Sequence, residues 1–304
     1  MICARWFRRF TGAFLILFAI YAVPAAQAKE RPVHTGACDR ACLVRAADSF
    51  LAALARRDAP RLRVAKALRV TLNVRDVTLG QALAQGVEAV PSRQVFADPD
   101  NGQVVTFGTV RRGGQIEALM LRLKVVGGRI SEIEMLRGGD SDGPYSFARN
   151  LLHPDVLYDA PVPGPRQSSR RELVQVADAY FTALERHDGS LAAFSERCDR
   201  YESGARVTNN TGMIGAPDGG VFTCAQSLEA AKATAVAVSE RRFPVVDMPR
   251  GLVVVIDFLE PMGPSGPKLT LYLAAVFKIV DGGIRGLDEI NVEAPLGSRT
   301  RFKP

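Results

Sequence analysis

The sequence predicts an α+β protein made of two tandem copies of one unit, each with helices packed on a curved antiparallel sheet. Three observations point there. Leu43, Ala46, Ala47, Phe50, Leu51 and Leu54 form one helix face, and the same spacing returns 130 residues later as Leu173, Val176, Ala177, Tyr180, Phe181 and Leu184. Residues 119–126 (LMLRLKVV) parallel 273–280 (LAAVFKIV), and in each copy alternating apolar residues lead into a glycine turn. Finally, 304 residues with 47% apolar and 23% charged content can fill two cores, which excludes a disordered chain.

The chain opens on Arg5, Arg8 and Arg9, an apolar run at 13–23 (AFLILFAIYAV) and Ala26-Gln27-Ala28. A cationic start, a run shorter than the ~20 residues of a span and a small-x-small site predict a secretory signal over 1–28, with an uncleaved anchor as the alternative. No later run reaches spanning length, so the mature protein is expected to be soluble and exported, periplasmic or secreted. The net charge of +7 falls to +4 without those three arginines and identifies no polyanion partner. Cleavage leaves Cys38, Cys42, Cys198 and Cys224. An even count in an exported chain favours disulfides, and spacing pairs Cys38 with Cys42 and Cys198 with Cys224. A four-cysteine zinc site is the competing reading.

The first copy is expected over 38–137, a Gly/Pro-rich linker draped on the surface over 138–169, the second copy over 170–296 and a tail over 297–304. Within a copy the expected order is a long helix, a shorter helical stretch, then meandering strands. The offset between copies grows from 130 at the helices to 149 at 93–98 (RQVFAD) against 242–247 (RFPVVD), then to 154 at the later strands. Insertions are therefore expected in or near 208–224 and in the 261–267 hairpin. Both are rich in glycine, proline or asparagine and read as loops.

Residues 178–191 (DAYFTALERHDGSL) with Phe194, and 48–62 (DSFLAALARRDAPRL), resemble the opening helix of the SnoaL-like and ketosteroid-isomerase-like superfamily, whose fold is also called nuclear transport factor two-like. Residues 196–204, 208–210 and 241–247 further resemble an uncharacterised family of exported tandem proteins. The superfamily resemblance implies a cone-shaped α+β barrel with a pocket at its open end for a small, largely apolar molecule, and no cofactor. It implies a first-helix tyrosine as oxyanion donor, a carboxylate as proton shuttle and a protonated acid on the sheet. Tyr180, Glu202 and Asp257 fall at or near those places. Phe50, Leu72 and Gly108 stand opposite them in the first copy, so any chemistry is expected in the second, with the first as scaffold or intramolecular dimer partner.

Each candidate has a plainer reading. Tyr180 serves equally as a core aromatic, Glu202 as a partner of Arg200, Arg206 or Arg241, and Asp257 as an outward residue on an edge strand. Arg200, Tyr201, Asn209, Asn210, Arg241 and Lys278 are the further candidates for lining the pocket, although solvated lysines and local turn bonding account for several. His34, His153 and His187 give no metal-ligand spacing with the acids around them, so no metal is expected. There is no phosphate loop and no Gly-x-Ser-x-Gly elbow, and basic runs with interleaved aromatics are lacking, so nucleic-acid binding is not expected. Cofactor-independent isomerisation, dehydration or cleavage beside a carbonyl is the leading expectation. A non-catalytic binding or interaction module is the alternative, with self-association through the sheet faces.

Overall fold

The computed structural model describes residues 38–59, 62–139, 147–211, 221–230, 236–262 and 269–302. The expected signal over 1–28 lies outside them, as do most of the two expected insertions. Helix α1 (Arg40–Arg56) starts where the Asp39 carboxylate accepts the Cys42 N–H at 2.7 Å, and the Cys38–Cys42 disulfide pins the chain at that end. The helix buries Leu43, Ala47, Phe50, Leu51, Ala53 and Leu54 and stops at Arg57, in the left-handed conformation with φ 59°. The second copy repeats this plan. Ser169 and Glu172 form a capping box for α3 (Arg170–Arg186), which stops at His187 with φ 53°.

The strands of the first copy are β1 (Val64–Leu72), β2 (Arg75–Asp76), β3 (Val87–Asp98), β4 (Gln103–Arg112), β5 (Gln115–Val126) and β6 (Arg129–Gly138), with the short helix α2 (Leu79–Leu83) between β2 and β3. Those of the second are β7 (Phe194–Glu202), β8 (Ala205–Arg206), β9 (Val236–Asp247), β10 (Leu252–Pro261), β11 (Leu269–Val280) and β12 (Gly283–Pro295), with α4 (Cys224–Ala230) between β8 and β9. The two sheets have the same order, β2-β1-β6-β5-β4-β3 and β8-β7-β12-β11-β10-β9, and each wraps against its long helix. They form two tandem α+β cone domains. One expectation needs correcting: a strand, β1 or β7, precedes the short helix and pairs parallel with the last strand of its copy. Only Val70 and Thr71 of β1 are buried, so the strand carries little apolar alternation to reveal it. Matching caps, Thr78 with Gln81 and Thr223 with Gln226, place most of the first insertion before α4.

The outer faces of the two sheets pack on each other. Phe96, Val105, Met120 and Leu136 of the first copy share one core with Val254, Ile256, Tyr272, Ala274 and Ile290 of the second. The arrangement is a two-fold one made inside a single chain: Arg170 of α3 grips Asp98 at the end of β3, and Arg40 of α1 reciprocally grips Asp247 at the end of β9. The sheet faces expected to carry self-association are thus used against each other.

At the centre of this interface Glu134 is fully buried. Its carboxylate accepts Arg122 Nε at 2.5 Å, Arg242 Nη2 at 2.6 Å and the Tyr272 hydroxyl. Burial alone would raise the Glu134 carboxyl, but Arg122 and Arg242 outweigh it and hold the group down at about 2. The tail contributes here too. Phe302 is buried, with the Arg122 guanidinium 4.5 Å from its ring centre.

Most described residues of the linker are exposed, as a segment running over the surface requires, but it is anchored at single points. Ala148, Tyr158 and Val162 are buried, and Lys278 Nζ donates to the carbonyls of Ala160 and Arg250, tying the linker to the second sheet. Isolated apolar residues among the prolines and glycines do the packing, without a periodicity that the sequence could display.

Candidate functional site: polar groups inside the second cone

The second copy places a polar network between α3 and the inner face of its sheet. Tyr180 leaves α3 on its buried face, is fully enclosed and packs edge-on against Phe181 and Phe277. Its hydroxyl donates to Glu289 Oε1 at 2.9 Å. Glu289 on β12 pairs in parallel register with Glu202 on β7, so the two carboxylates are lateral neighbours. Arg200, two residues back along β7, bridges them with an ion pair to Glu202 and a contact of 3.4 Å to Glu289. The guanidinium thus lies between the two acids and offsets their mutual repulsion.

Asp257 stands on the same face of the sheet. Val253, Val255 and Asp257 of β10 point toward α3, whereas Val254, Ile256 and Phe258 point to the other copy. The carboxyl is fully buried, and neither oxygen has a hydrogen-bond partner among the described residues. Burial, reinforced by Glu289, pushes its pKa well above the ordinary range and so favours the neutral form. Burial also raises Glu289, to about 7, against the pull of Arg200. Tyr180 is raised well above its usual value, again mainly by burial. For Arg200 burial alone would lower the guanidinium, but Glu202, Tyr180 and Glu289 together raise it, and it stays charged. Its Nε is buried without a hydrogen-bond partner among the described residues.

Strand register shows what stands at these places in the first copy. Leu72 pairs with Met135 as Glu202 pairs with Glu289, Val70 with Ile133 as Arg200 with Leu287, and Gly108 with Leu119 as Asp257 with Leu273. With Phe50 in place of Tyr180, every member of the network is replaced by an apolar residue or glycine. Gly108 tolerates no side chain, because a Cβ there would lie 2.2 Å from the Ser92 carbonyl oxygen. Opposite Asp257 the β9 ladder shifts register between Ile256 and Phe258, and a bulge of this kind makes room where the first copy has none.

The three residues expected to be catalytic, Tyr180, Glu202 and Asp257, therefore belong to the same inner layer, and Arg200 joins them. The other candidates are placed elsewhere. Alternation along β7 turns Tyr201 to the opposite sheet face from Arg200 and Glu202, beside Asp288 and the linker. Lys278 lies on that outer face too, bound to the Ala160 carbonyl of the linker and the Arg250 carbonyl of the turn before β10. Arg241 clamps the helix from the side, bonding Asp178, Thr182 and Glu185 of α3. Asn209 donates to the Cys198 carbonyl and to Asp199, and Asn210 to the Arg206 carbonyl, which makes both local braces of the loop beside the Cys198–Cys224 disulfide. Glu289 was not expected. Its signal lay at the offset of 154, where Met135 becomes Glu289, but adjacent Asp288 and Glu289 leave the inward-facing acid undetermined until the register is known.

Both expected disulfides are present. No described helix is long and apolar enough to cross a membrane.

A family model described as a domain of unknown function, DUF8021, matches residues 166–291, the stretch that carries all five network residues. No curated protein matches the chain. Among solved structures the chain is similar, at 14% identity, to a protein of unknown function with a cystatin-like fold from Methylobium petroleophilum PM1, over 45% of this chain and 86% of that one, with a TM-score of 0.30. It is similar at 14% identity to AclR from Streptomyces galilaeus, over 42% and 83%, with a TM-score of 0.28. A third, an NTF2-like protein from Cytophaga hutchinsonii, is 14% identical over 41% of this chain and 99% of that one, with a TM-score of 0.27.

Proposed function

We propose that the second cone takes up a small, largely apolar molecule bearing a carbonyl and moves a proton at the adjacent carbon without a cofactor, and that the protein works outside the cytoplasm. The observation that carries this reading is Asp257, a fully buried carboxyl with no hydrogen-bond partner among the described residues and a burial that favours its neutral form, on the same sheet face as an acid whose pKa is about 7. Leaving such a group unsatisfied costs roughly 1–3 kcal/mol, a cost that a ligand oxygen accepting its proton would offset. Asp257 is the donor to the carbonyl oxygen. Glu289, oriented by Tyr180, removes the proton from the neighbouring carbon and returns it, at the same carbon or at a conjugated one, so the balance closes within the substrate. Arg200 contacts both Glu202 and Glu289 and positions the two acids. The two disulfides support the extracytoplasmic setting, where such bonds persist.

Exchange of protons for deuterium next to the carbonyl, followed by NMR over a panel of cyclic ketones and enones, tests the chemistry. The wild-type chain is expected to accelerate exchange for at least one compound. Glu289→Gln should lower that rate by roughly 10²–10⁴-fold while leaving the fold intact. No exchange with any compound, or an unchanged rate in the variant, would contradict it. A second reading, a binding module without turnover, draws on the Tyr180 hydroxyl being spent on Glu289 and on the packing of its ring among Phe181, Phe194 and Phe277. Binding without exchange is the outcome that would favour it.

A further inference from the structure

A cavity of about 240 Å³ lies between the two sheets on the side closed by the linker. Its walls include Gln94 and Phe107 of the first sheet, Tyr201 and Asp288 of the second, and Asp155 and Tyr158 of the linker. Among the described lining residues there is no lysine or arginine, and His153 is the one basic side chain. Asp288 Oδ1 is buried and has no hydrogen-bond partner among the described residues. Burial, then Glu289 and Asp155, raise this carboxyl to about 7.

The internal two-fold shows what such an acid requires. Asp288 on β12 pairs with Val276, as Glu134 on β6 pairs with Arg122. One strand further, Val276 leads to Val254 and Arg122 to Val105. Gln94 then stands opposite Phe107 where Arg242 stands opposite Ile256. Tyr272, the third group on Glu134, corresponds to Ala118. Each group that neutralises Glu134 is thus replaced at Asp288 by an uncharged or shorter side chain: Arg122 by Val276, Arg242 by Gln94 and Tyr272 by Ala118. On this side of the two-fold, Asp288 and Gln94 instead border the cavity, which has a second acid, Asp155, in its wall.

We propose that this cavity binds a small organic cation with N–H donors, an ammonium or guanidinium, whose charged end pairs with Asp288 as Arg122 and Arg242 pair with Glu134. The N–H groups supply the partner that Asp288 Oδ1 lacks, which a quaternary ammonium could not do. Phe107, Tyr158 and Tyr201 offer the rest of the molecule an aromatic enclosure. The volume suits a compact amine. The site is separate from the second cone, because Asp288 and Glu289 are consecutive on β12 and face opposite sides of the sheet.

Isothermal titration of the full mature chain with agmatine and with phenethylamine tests the proposal, using 2-phenylethanol and tetramethylammonium as comparators. At least one of the two amines is expected to bind one-to-one, with 2-phenylethanol and tetramethylammonium about tenfold weaker or more. Asp288→Asn should weaken amine binding about tenfold or more. Gln94→Arg, which returns an internal guanidinium to the site, should abolish it while circular dichroism stays unchanged. Failure of both amines to bind the wild type, equal binding by Asp288→Asn, or equal affinity for 2-phenylethanol would overturn the proposal. Because Asp288→Asn carries the decision, it stands even if Gln94→Arg does not fold.

Discussion

Substituting Glu134 by alanine is expected to destabilise the protein by about 3–5 kcal/mol, more than any other single change at the interface between the copies. The reason is what the substitution leaves behind. Arg122 and Arg242 are 2% and 4% exposed, and without Glu134 two guanidiniums face each other across a low-dielectric interface. Chemical denaturation should report the loss as a lower midpoint, and thermal melting should fall by roughly 10 °C for a chain of this size. The dependence on pH follows from the same group. Glu134 has a folded pKa depressed to about 2 from an ordinary 4.5, so its contribution is complete above the ordinary value and is lost as pH falls toward 2. In the alanine variant the loss of stability over that acid window should be shallower. A cost below about 1 kcal/mol would mean that the interface does not depend on this network.

Replacing Cys198 and Cys224 together by alanine is expected to cost roughly 3 kcal/mol, the value for releasing a loop of this length in the unfolded chain. The bond spans 26 residues and joins β7 to α4 across the inserted loop that the second copy has and the first lacks. The corresponding change at Cys38 and Cys42, four residues apart, should cost less. Comparing urea midpoints of the two double variants checks the ranking, and equal losses would show that the inserted loop does not rely on its bridge.

The repeat made the fold legible because a hydrophobic pattern reports which face of an element is buried. It placed α1 and α3, β5 and β11, it matched Phe50 with Tyr180 on the two long helices, and it matched Gly108 with Asp257 in the way that the strand registers do. It said little about β1, whose few buried positions show no alternation, and nothing about the linker, whose buried residues act singly. At the candidate site, differences between copies were more informative than residue types. Tyr180, Glu202 and Asp257 stood out because the first copy has Phe50, Leu72 and Gly108 there. Glu289 did not stand out, since a one-residue choice between adjacent acids is a choice between sheet faces that only the ladder resolves. Tyr201 and Lys278 were misplaced for the same reason. Proximity in sequence to a site says nothing about which side of a strand a side chain leaves. The interface network was invisible altogether, because Glu134 and Arg242 are brought together by the packing of one copy on the other.

The central claim is that the second cone encloses acids held away from water, one of them driven toward its neutral form, where the first cone has apolar residues or glycine at the matching positions. Carbon-13 NMR titration of the side-chain carboxyls tests it most directly, with Asp257→Asn and Glu289→Gln used to assign the resonances. For a carboxyl whose pKa rises on folding, stability is greatest below the ordinary value and is lost as pH rises through the folded value. Between pH 4.5 and about 7, then, deprotonation of Glu289 works against the fold. The account predicts that the resonance missing from Glu289→Gln titrates near 7 and that the one missing from Asp257→Asn remains protonated at neutral pH. Titration of both at ordinary carboxylate values, near 4, would contradict it, because two such acids would be open to water and Asp257 could not act as a neutral donor.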